Sequence, residues 1–584
     1  MVRSKTVSGA WVVEQTTCLD ELIIEEGAHL EAPDGKVVAL SVDGIGREAK
    51  PGYYFGDVVI SVSDPFMMPP SCIFRESGRM TPLRCAVTVI DGKLDHSKSM
   101  AALVYKGEVG DKSAKDIKIC SGDPSFNGLL IDGDSEYVIE NADIDFEGNG
   151  ANDFEGVGAG VSAVGNSKVT IRNSEINLNS VTRCAIHAGG NSVMKLENCR
   201  LINESPDTGM KPAWVLGLDG TNRAAQLCDN ASLEYYNCYI KSNGWGVQSV
   251  DGPISCTLFM KDCTVDLSGP RARGYGVFVF GECRTIIDHC NLNVNGYPIL
   301  MSTERDGYAE ITNGSVINAP LYGTMIFRDE AGRFTLDKGS VMNSERASFL
   351  VKGSCTNIYI DNAQVNSKQG VILQLMDNDE PGVLCDYFAP PIGEADEYVE
   401  GRDLTSGNPD ADVFMTISNT ELKGDFLNST TNLKANCRVP KGTHFDLNSE
   451  DLNELIAESP GVSQELTAQD DETQGPKNLV LNLKNASVTG IISSAVQQYK
   501  EGVTRIDEKN HHQLSNVIQT PAPTVNNGVI VNLEAASKWK VTGHCWLTAL
   551  YISEDSQVLA SRMTVDGQEV PVAPGKYTGK IELE

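Results

Sequence analysis

LENCRL at 196–201 and YYNCYI at 235–240 are two copies of one hexapeptide: a large apolar residue, any residue, Asn, a small residue, any residue, an aliphatic. The pattern returns as IENADI (139–144), IRNSEI (171–176), MKDCTV (260–265), IDHCNL (287–292), ITNGSV (311–316), LDKGSV (336–341), IDNAQV (360–365) and ISNTEL (417–422). Its third positions fall at 141, 173, 198, 237, 262, 289, 313, 338, 362 and 419, so most spacings are 24–27 residues, with swellings of 32, 39 and 57. Self-similarity at a fixed short period is the signature of a solenoid.

A unit of about 25 residues that holds three short strands, a tight Asn turn and two looser corners is one coil of a right-handed parallel β-helix. The expected fold is therefore all-β, a right-handed parallel β-helix of about 25-residue coils with loop insertions. Asn tolerates left-handed backbone, and its amide can bond the Asn one coil away, so Asn141, Asn173, Asn198, Asn237, Asn313 and Asn362 read as a stacked ladder. The small residue that follows is Cys in four coils (Cys199, Cys238, Cys263, Cys290), which predicts a packed stack of thiols inside the core rather than disulfides. Reduced thiols in such number fit a reducing compartment.

A further strand precedes each turn: CAIHA (184–188), WGVQS (245–249), YGVFV (275–279), YPILM (297–301), YGTMI (322–326) and ASFLV (347–351). Alternation along these strands predicts Ile186, Val247, Val277, Ile299, Thr324 and Phe349 inward, and His187, Gln248, Phe278, Leu300, Met325 and Leu350 outward. An outward column of large apolar residues needs a cover: a loop, a ligand or a second copy of the chain.

The 584 residues carry 48 Lys+Arg against 79 Asp+Glu, a net charge of −31 that repels phosphate backbones and anionic lipid. Nucleic acid is thus not an expected partner. Nor is a membrane span, because no apolar run approaches the ~20 residues it needs. The first residues show no apolar signal segment, so the expected compartment is the cytoplasm, or the cell surface or exterior if a signal was removed. The expected domains are an N-terminal β region and helix cap over 1–125, a β-helix core over 126–440 with insertions at 204–230 and 378–412, a polar insertion over 441–478, and C-terminal β coils and cap over 479–584.

The Asn-turn pattern with three strands per coil resembles the pectate-lyase-like superfamily of parallel β-helix proteins. The stretches at 156–176, 219–227 (DGTNRAAQL), 243–252 (NGWGVQSVDG) and 526–543 (NNGVIVNLEAASKWKVTG) look like large bacterial β-helix proteins with passenger-like ends. The resemblance covers most of 130–550. It implies a site on the strands between Cys184 and Val351 and on the corner loops that feed them. IDHC at 287–290 looks like a pectate lyase stretch, but His289 stands where Asn stands in other coils and reads as a turn variant.

Chemistry-bearing residues gather around the first large insertion. His187, Asp219, Arg223 and Lys211 are the candidate catalytic groups: a histidine among cations and carboxylates can move protons, and Arg or Lys can hold an oxyanion. Arg183, Trp214, Trp245, Gln248, Asp251, Arg273, Tyr275 and Phe278 are the candidate substrate contacts, the aromatic planes suiting sugar rings or flat ligands. No resident cofactor is expected. Asp143, Asp145 and Asp153, and Asp377, Asp379 and Glu380, are the acid groups a Ca²⁺ ion could use. The expected activity is general acid/base chemistry of a lyase, hydrolase or isomerase on a carbohydrate, glycoside or small cyclic substrate. A non-catalytic binding or surface-display solenoid is the alternative.

Overall fold

The computed structural model describes residues 3–70, 80–204, 222–251, 255–268, 274–303, 307–327, 330–377, 379, 398–400, 412–430, 438–440, 478–500, 502, 511–524 and 527–584. These fall into two compact units, one with the described residues up to Leu258 and the other with those from Phe259 on. Most of the 378–412 and 441–478 insertions lies outside the described residues.

In the first unit every coil is built the same way. A five-residue strand with the burial alternation of a half-buried pleat, such as Lys168–Arg172, ends at the Asn turn; a second, such as Glu175–Asn179, leaves it. A return strand, such as Ile186–Ala188, closes the coil. Equivalent strands stack in parallel: Glu136–Glu140, Lys168–Arg172, Val193–Glu197 and Ser232–Tyr236 pair in succession on the entry face. Phe126–Asp132, Val161–Ala163, Ile186–Ala188, Arg223–Cys228 and Gly246–Asp251 do so on the return face. Entry and exit strands bury one side only. The return strands Ile186–Ala188, Arg223–Cys228 and Gly246–Asp251 are buried at every residue, so their outer side is covered. Ahead of the coils, Thr17–Ile24, Val37–Val42 and Gly52–Ser63 form an antiparallel sheet over a small core of Val7, Leu22, Ile24, Leu40, Val58 and Ile60. Val104–Val109 pairs antiparallel with Ser113–Ser121, the first strand of the entry stack, and so covers part of an edge that would otherwise be open to parallel pairing.

The second unit repeats the plan. Arg284–Asp288, Tyr308–Thr312, Glu330–Asp337, Cys355–Asp361, Val413–Ser418, Leu479–Lys484 and Val529–Glu534 pair in parallel on the entry face. Tyr275–Gly281, Tyr297–Thr303, Thr324–Phe327, Ala347–Lys352 and Val371–Met376 pair on the return face. Its far end is closed by Cys545–Ile552 against Gly575–Leu583, again antiparallel. The outer column Phe278, Leu300, Met325, Leu350 is in register as expected. It is not an open surface: Leu300, Met325 and Leu350 are buried within the single chain, and only Phe278 is half-buried, against Tyr275, Phe280 and Phe327. The expectations of a second copy or a hydrophobic substrate on this column therefore lose their basis. The described part of the cover is a hairpin, Ile492–Tyr499 against Val517–Pro521. Tyr322 Oη and Gln374 Nε2 donate to the Ser515 carbonyl at 2.6 and 2.8 Å, and Gln519 Nε2 donates to the Leu375 carbonyl at 2.9 Å. A buried ion pair, Lys352 Nζ to Asp379 Oδ1 at 2.7 Å, sits under the same arm, and Asp379 also accepts from Tyr499 Oη and the Ser515 amide.

Each unit carries its own turn ladder. Asn141, Asn173, Asn198 and Asn237 in the first, and Asp262, His289, Asn313, Lys338, Asn362, Asn419 and Asn485 in the second, all have φ between 48° and 55°. Asn198 donates to Asn173 at 3.3 Å and receives from Asn237 at 2.8 Å; His289 bonds Asp262 at 2.6 Å, which makes it a turn variant as the sequence implies. A second ladder, Asn293, Asn318, Asn343 and Asn366, runs along the exit strands at 2.9–3.0 Å. The turn cysteines are free and buried: the Cys199 amide donates to Cys238 Sγ at 3.4 Å, and the Cys263 amide to Cys290 Sγ at 3.3 Å. Replacing Asn198 with Ala puts a residue less tolerant of left-handed backbone at φ 55° and breaks two side-chain hydrogen bonds of the ladder. The expected cost is about 1–2 kcal/mol, read as a lowered urea midpoint, with Asn198→Gly recovering part of it. Reductant is expected to leave the melting temperature unchanged.

Candidate functional site

On the outer side of the first unit's return face, a loop between residues 147 and 161 folds back over the strands. It contains a short 3₁₀ turn, Asp153–Glu155, whose N-terminus is capped by the Asn152 side chain and whose C-terminus is Gly156 at φ 62°. A side chain at Gly156 would place its Cβ 2.6 Å from His187 Cγ, so only glycine lets the loop lie on that imidazole.

Beneath the loop Arg223 is the centre of a closed polar cluster. Its Nε lies 2.8 Å from Asp153 Oδ2, and its Nη1 donates to Gln226 Oε1 at 2.6 Å, Ser249 Oγ at 3.1 Å and Asp251 Oδ2 at 3.3 Å. The guanidinium is held between two aromatic planes, 4.5 Å from the Phe154 ring centre and 5.2 Å from that of Trp245. Gln226 Nε2 donates a further bond to Asp251 at 2.9 Å. Burial raises the Asp251 carboxyl above its ordinary value, against the pull of Arg223. One cation thus faces two carboxylates, one of which burial drives toward its neutral form.

His187 adjoins this cluster. Its Nε2 is 3.1 Å from the Phe154 carbonyl and 3.7 Å from Cys228 Sγ. A carbonyl can only accept, so Nε2 carries the proton and Nδ1 presents a lone pair. That Nδ1 is buried and has no hydrogen-bond partner, as is true of Ser162 Oγ on the adjoining strand and Asn152 Nδ2 in the loop. Burial holds the imidazole below its ordinary value. Orphaned buried polar atoms are rare and costly, and three around one loop mark a place where the chain does not satisfy its own groups.

Of the residues singled out in the sequence, His187, Arg223, Trp245 and Asp251 come together here. Lys211, Trp214, Asp219 and Arg273 lie outside the described residues. Gln248 does not face outward: it pairs with Ala225, its side chain receives a bond from Tyr235 Oη at 2.9 Å, and the residues in register with His187 are Gln226 and Ser249. Arg183 is fully buried and spent on the scaffold, donating to the carbonyls of Gly158, Glu147, Gly148 and Phe126 while lying over the Phe146 ring. Tyr275 and Phe278 belong to the second unit. Three of the acids considered for Ca²⁺ are engaged by cations instead: Asp143 by Lys118 at 2.6 Å, Asp153 by Arg223 at 2.8 Å and Asp379 by Lys352 at 2.7 Å. Asp153, weighed in the sequence only as a Ca²⁺ ligand, and Phe154, Gln226, Ser249 and Cys228 were not assigned to this cluster from the sequence. The signal for the first two was present in the 32-residue spacing between Asn141 and Asn173, which marks an inserted loop.

The family model described as right handed beta helix region matches residues 109–271, a span that includes every residue of this cluster. The all-β chain with its long parallel sheets is a right-handed parallel β-helix. Comparisons with curated proteins and with solved structures found no match. Among the described residues no helix is long and apolar enough to cross a membrane.

The two titrating groups oppose each other in pH. His187 binds its proton less readily in the fold than at its ordinary value of 6.5, so its contribution to stability is full above that pH and is lost as pH falls through the folded value. Asp251 is raised from 3.8, so its contribution is full below that and is lost as pH rises through its folded value. Unfolding titrations from neutral pH downward should show wild-type stability falling relative to His187→Gln below about pH 6.5; parallel curves would mean that His187 does not carry this dependence.

Proposed function

We propose that the first unit is a general acid/base enzyme acting on a neutral glycoside or similar hydroxylated cyclic substrate, with its site at the Arg223 cluster. The observation that carries the reading is the pairing of a buried carboxyl pushed toward its neutral form with an imidazole nitrogen that has no partner. In these roles Asp251 gives a proton to the departing oxygen, and His187 Nδ1 takes one from the attacking water or, in an elimination, from the ring carbon whose C–H bond breaks as the C–O bond cleaves. Its Nε2–H stays on the Phe154 carbonyl and holds the ring. Arg223, held 2.8 Å from Asp153, stabilises negative charge that develops on substrate oxygen. Phe154 and Trp245 offer apolar faces of the kind that sugar rings stack on.

All these side chains are enclosed by the loop over them, so productive binding requires the loop to move. Gly148, Gly156 and Gly158, all at positive φ, are the hinge positions on which it would turn. A solenoid that only displays a surface has no use for a carboxyl pushed toward its neutral form and a partnerless imidazole nitrogen under such a loop. That contrast favours catalysis over the binding alternative.

The test is incubation with a panel of neutral glycosides, oligosaccharides and cyclic polyols, read by melting shift and then by product mass. At least one compound is expected to be converted, with Asp251→Asn and His187→Gln each lowering turnover about 10²–10⁴-fold. A melting shift without product would leave a binding module; conversion that survives both substitutions would move the chemistry elsewhere.

A further inference from the structure

A separate polar cavity lies wholly within the second unit, between its return face and the covering hairpin. It has a volume of about 160 Å³, and Tyr322, Arg346, Gln374, Lys500, Asn516 and Gln519 are among its walls. Drug-sized ligands occupy roughly 300–1,000 Å³, so this space suits a fragment of a few heavy atoms. Among the described residues its walls hold two cations and no carboxylate, in a chain whose net charge is −31.

The cations are not used up by the fold. Arg346 stands over the Tyr322 ring at 5.6 Å and is a hydrogen-bonding neighbour of the Tyr322 hydroxyl, while its Nη1 is buried with no hydrogen-bond partner. Lys500 Nζ donates to the neutral Gln369 Oε1 at 2.9 Å rather than to an acid. Burial and the nearby Arg346 charge both lower the Lys500 ammonium below its ordinary value. Two like charges held toward one small space repel each other, and an anion between them converts that repulsion into attraction. The neutral walls are already fixed, Gln374 by the Ser515 carbonyl at 2.8 Å and Gln519 by the Leu375 carbonyl at 2.9 Å. The cavity is thus formed before any ligand arrives.

We propose that this cavity is a binding site for a small oxyanion, with the Arg346 guanidinium as the directional donor and the Lys500 ammonium as the second charge. Carboxylate, sulfate and phosphate share the required chemistry: a compact negative group with several acceptor oxygens that a guanidinium meets in its own plane. The site shares no residue with the Arg223 cluster, so it stands or falls independently of the acid/base reading.

Calorimetric titration of the full chain at fixed ionic strength tests the proposal, with inorganic phosphate, inorganic sulfate and D-gluconate as probes and glucose and chloride as controls. At least one oxyanion is expected to bind saturably while glucose and chloride do not, and which of the three binds most tightly identifies the anion class. Arg346→Gln should weaken that binding about tenfold or more, and Arg346→Lys should restore part of it by returning the charge without the fork. Lys500→Gln, at a partly exposed position, should weaken binding several-fold while leaving the unliganded melting temperature unchanged. No saturable binding of any of the three probes, or affinities untouched by Arg346→Lys and Lys500→Gln, would overturn the proposal.

Discussion

Main-chain pairing between successive coils is the constraint on which the rest depends. Parallel strands stacked in register bring residues one repeat apart into neighbouring positions. Whatever a coil does at one corner, the next must do within ~4.8 Å of it. A left-handed turn in one coil requires a left-handed turn in the next, and a side chain that bonds along the stack requires a partner of its own kind. The Asn ladders satisfy both demands at once, and the buried cysteines beside them follow from the lack of room inside the bend. Antiparallel sheets at either end of the chain stop the repetition.

The same constraint creates the opportunity for a site. Entry and exit strands alternate cleanly, with one side in the core and one in water. The return strands are covered on both sides, and among the described residues the first unit's cover includes a short inserted loop. Polar residues on the outer side of these strands are therefore removed from water. Arg223 there must find carboxylates, amides and aromatic faces, and it does so with Asp153, Asp251, Gln226, Phe154 and Trp245. Enclosing the cluster strips water from the neighbouring groups, and burial without water penalises their charged forms. That is why the Asp251 carboxyl and the His187 imidazole are both displaced toward their neutral forms. The second unit solves the covering problem differently: a hairpin from far along the chain bonds to the return face, and the fit leaves a small cavity whose cations are not balanced.

The fold was legible because a repeat is evidence ten times over: a turn residue that recurs near every 25 positions, followed by a small one, has few explanations besides stacked coils. The site was legible in part. His187, Arg223, Trp245 and Asp251 lie in neighbouring coils and were drawn together by the period alone. Gln248 was misplaced because both sides of the strand Gly246–Asp251 are buried, so the apolar pattern gives no sign of which side faces the core, and a one-residue slip exchanges the two. Asp153 and Phe154 were not placed beside Arg223 because a loop's landing place is set by hydrogen bonds with partners distant in sequence, such as Asn127 and Arg183, rather than by periodicity.

What the sequence determined by itself is what repeats: the coil, the hand of the turns, the thiol stack and the neighbourhood of the return-face residues. These are local choices copied many times, so each copy confirms the others. Tertiary structure alone decided what covers the return faces, which carboxylates meet Arg223, and that Arg346 and Lys500 share one cavity. Those contacts occur once, between segments far apart in the chain, and a single long-range contact leaves no periodic trace in the sequence.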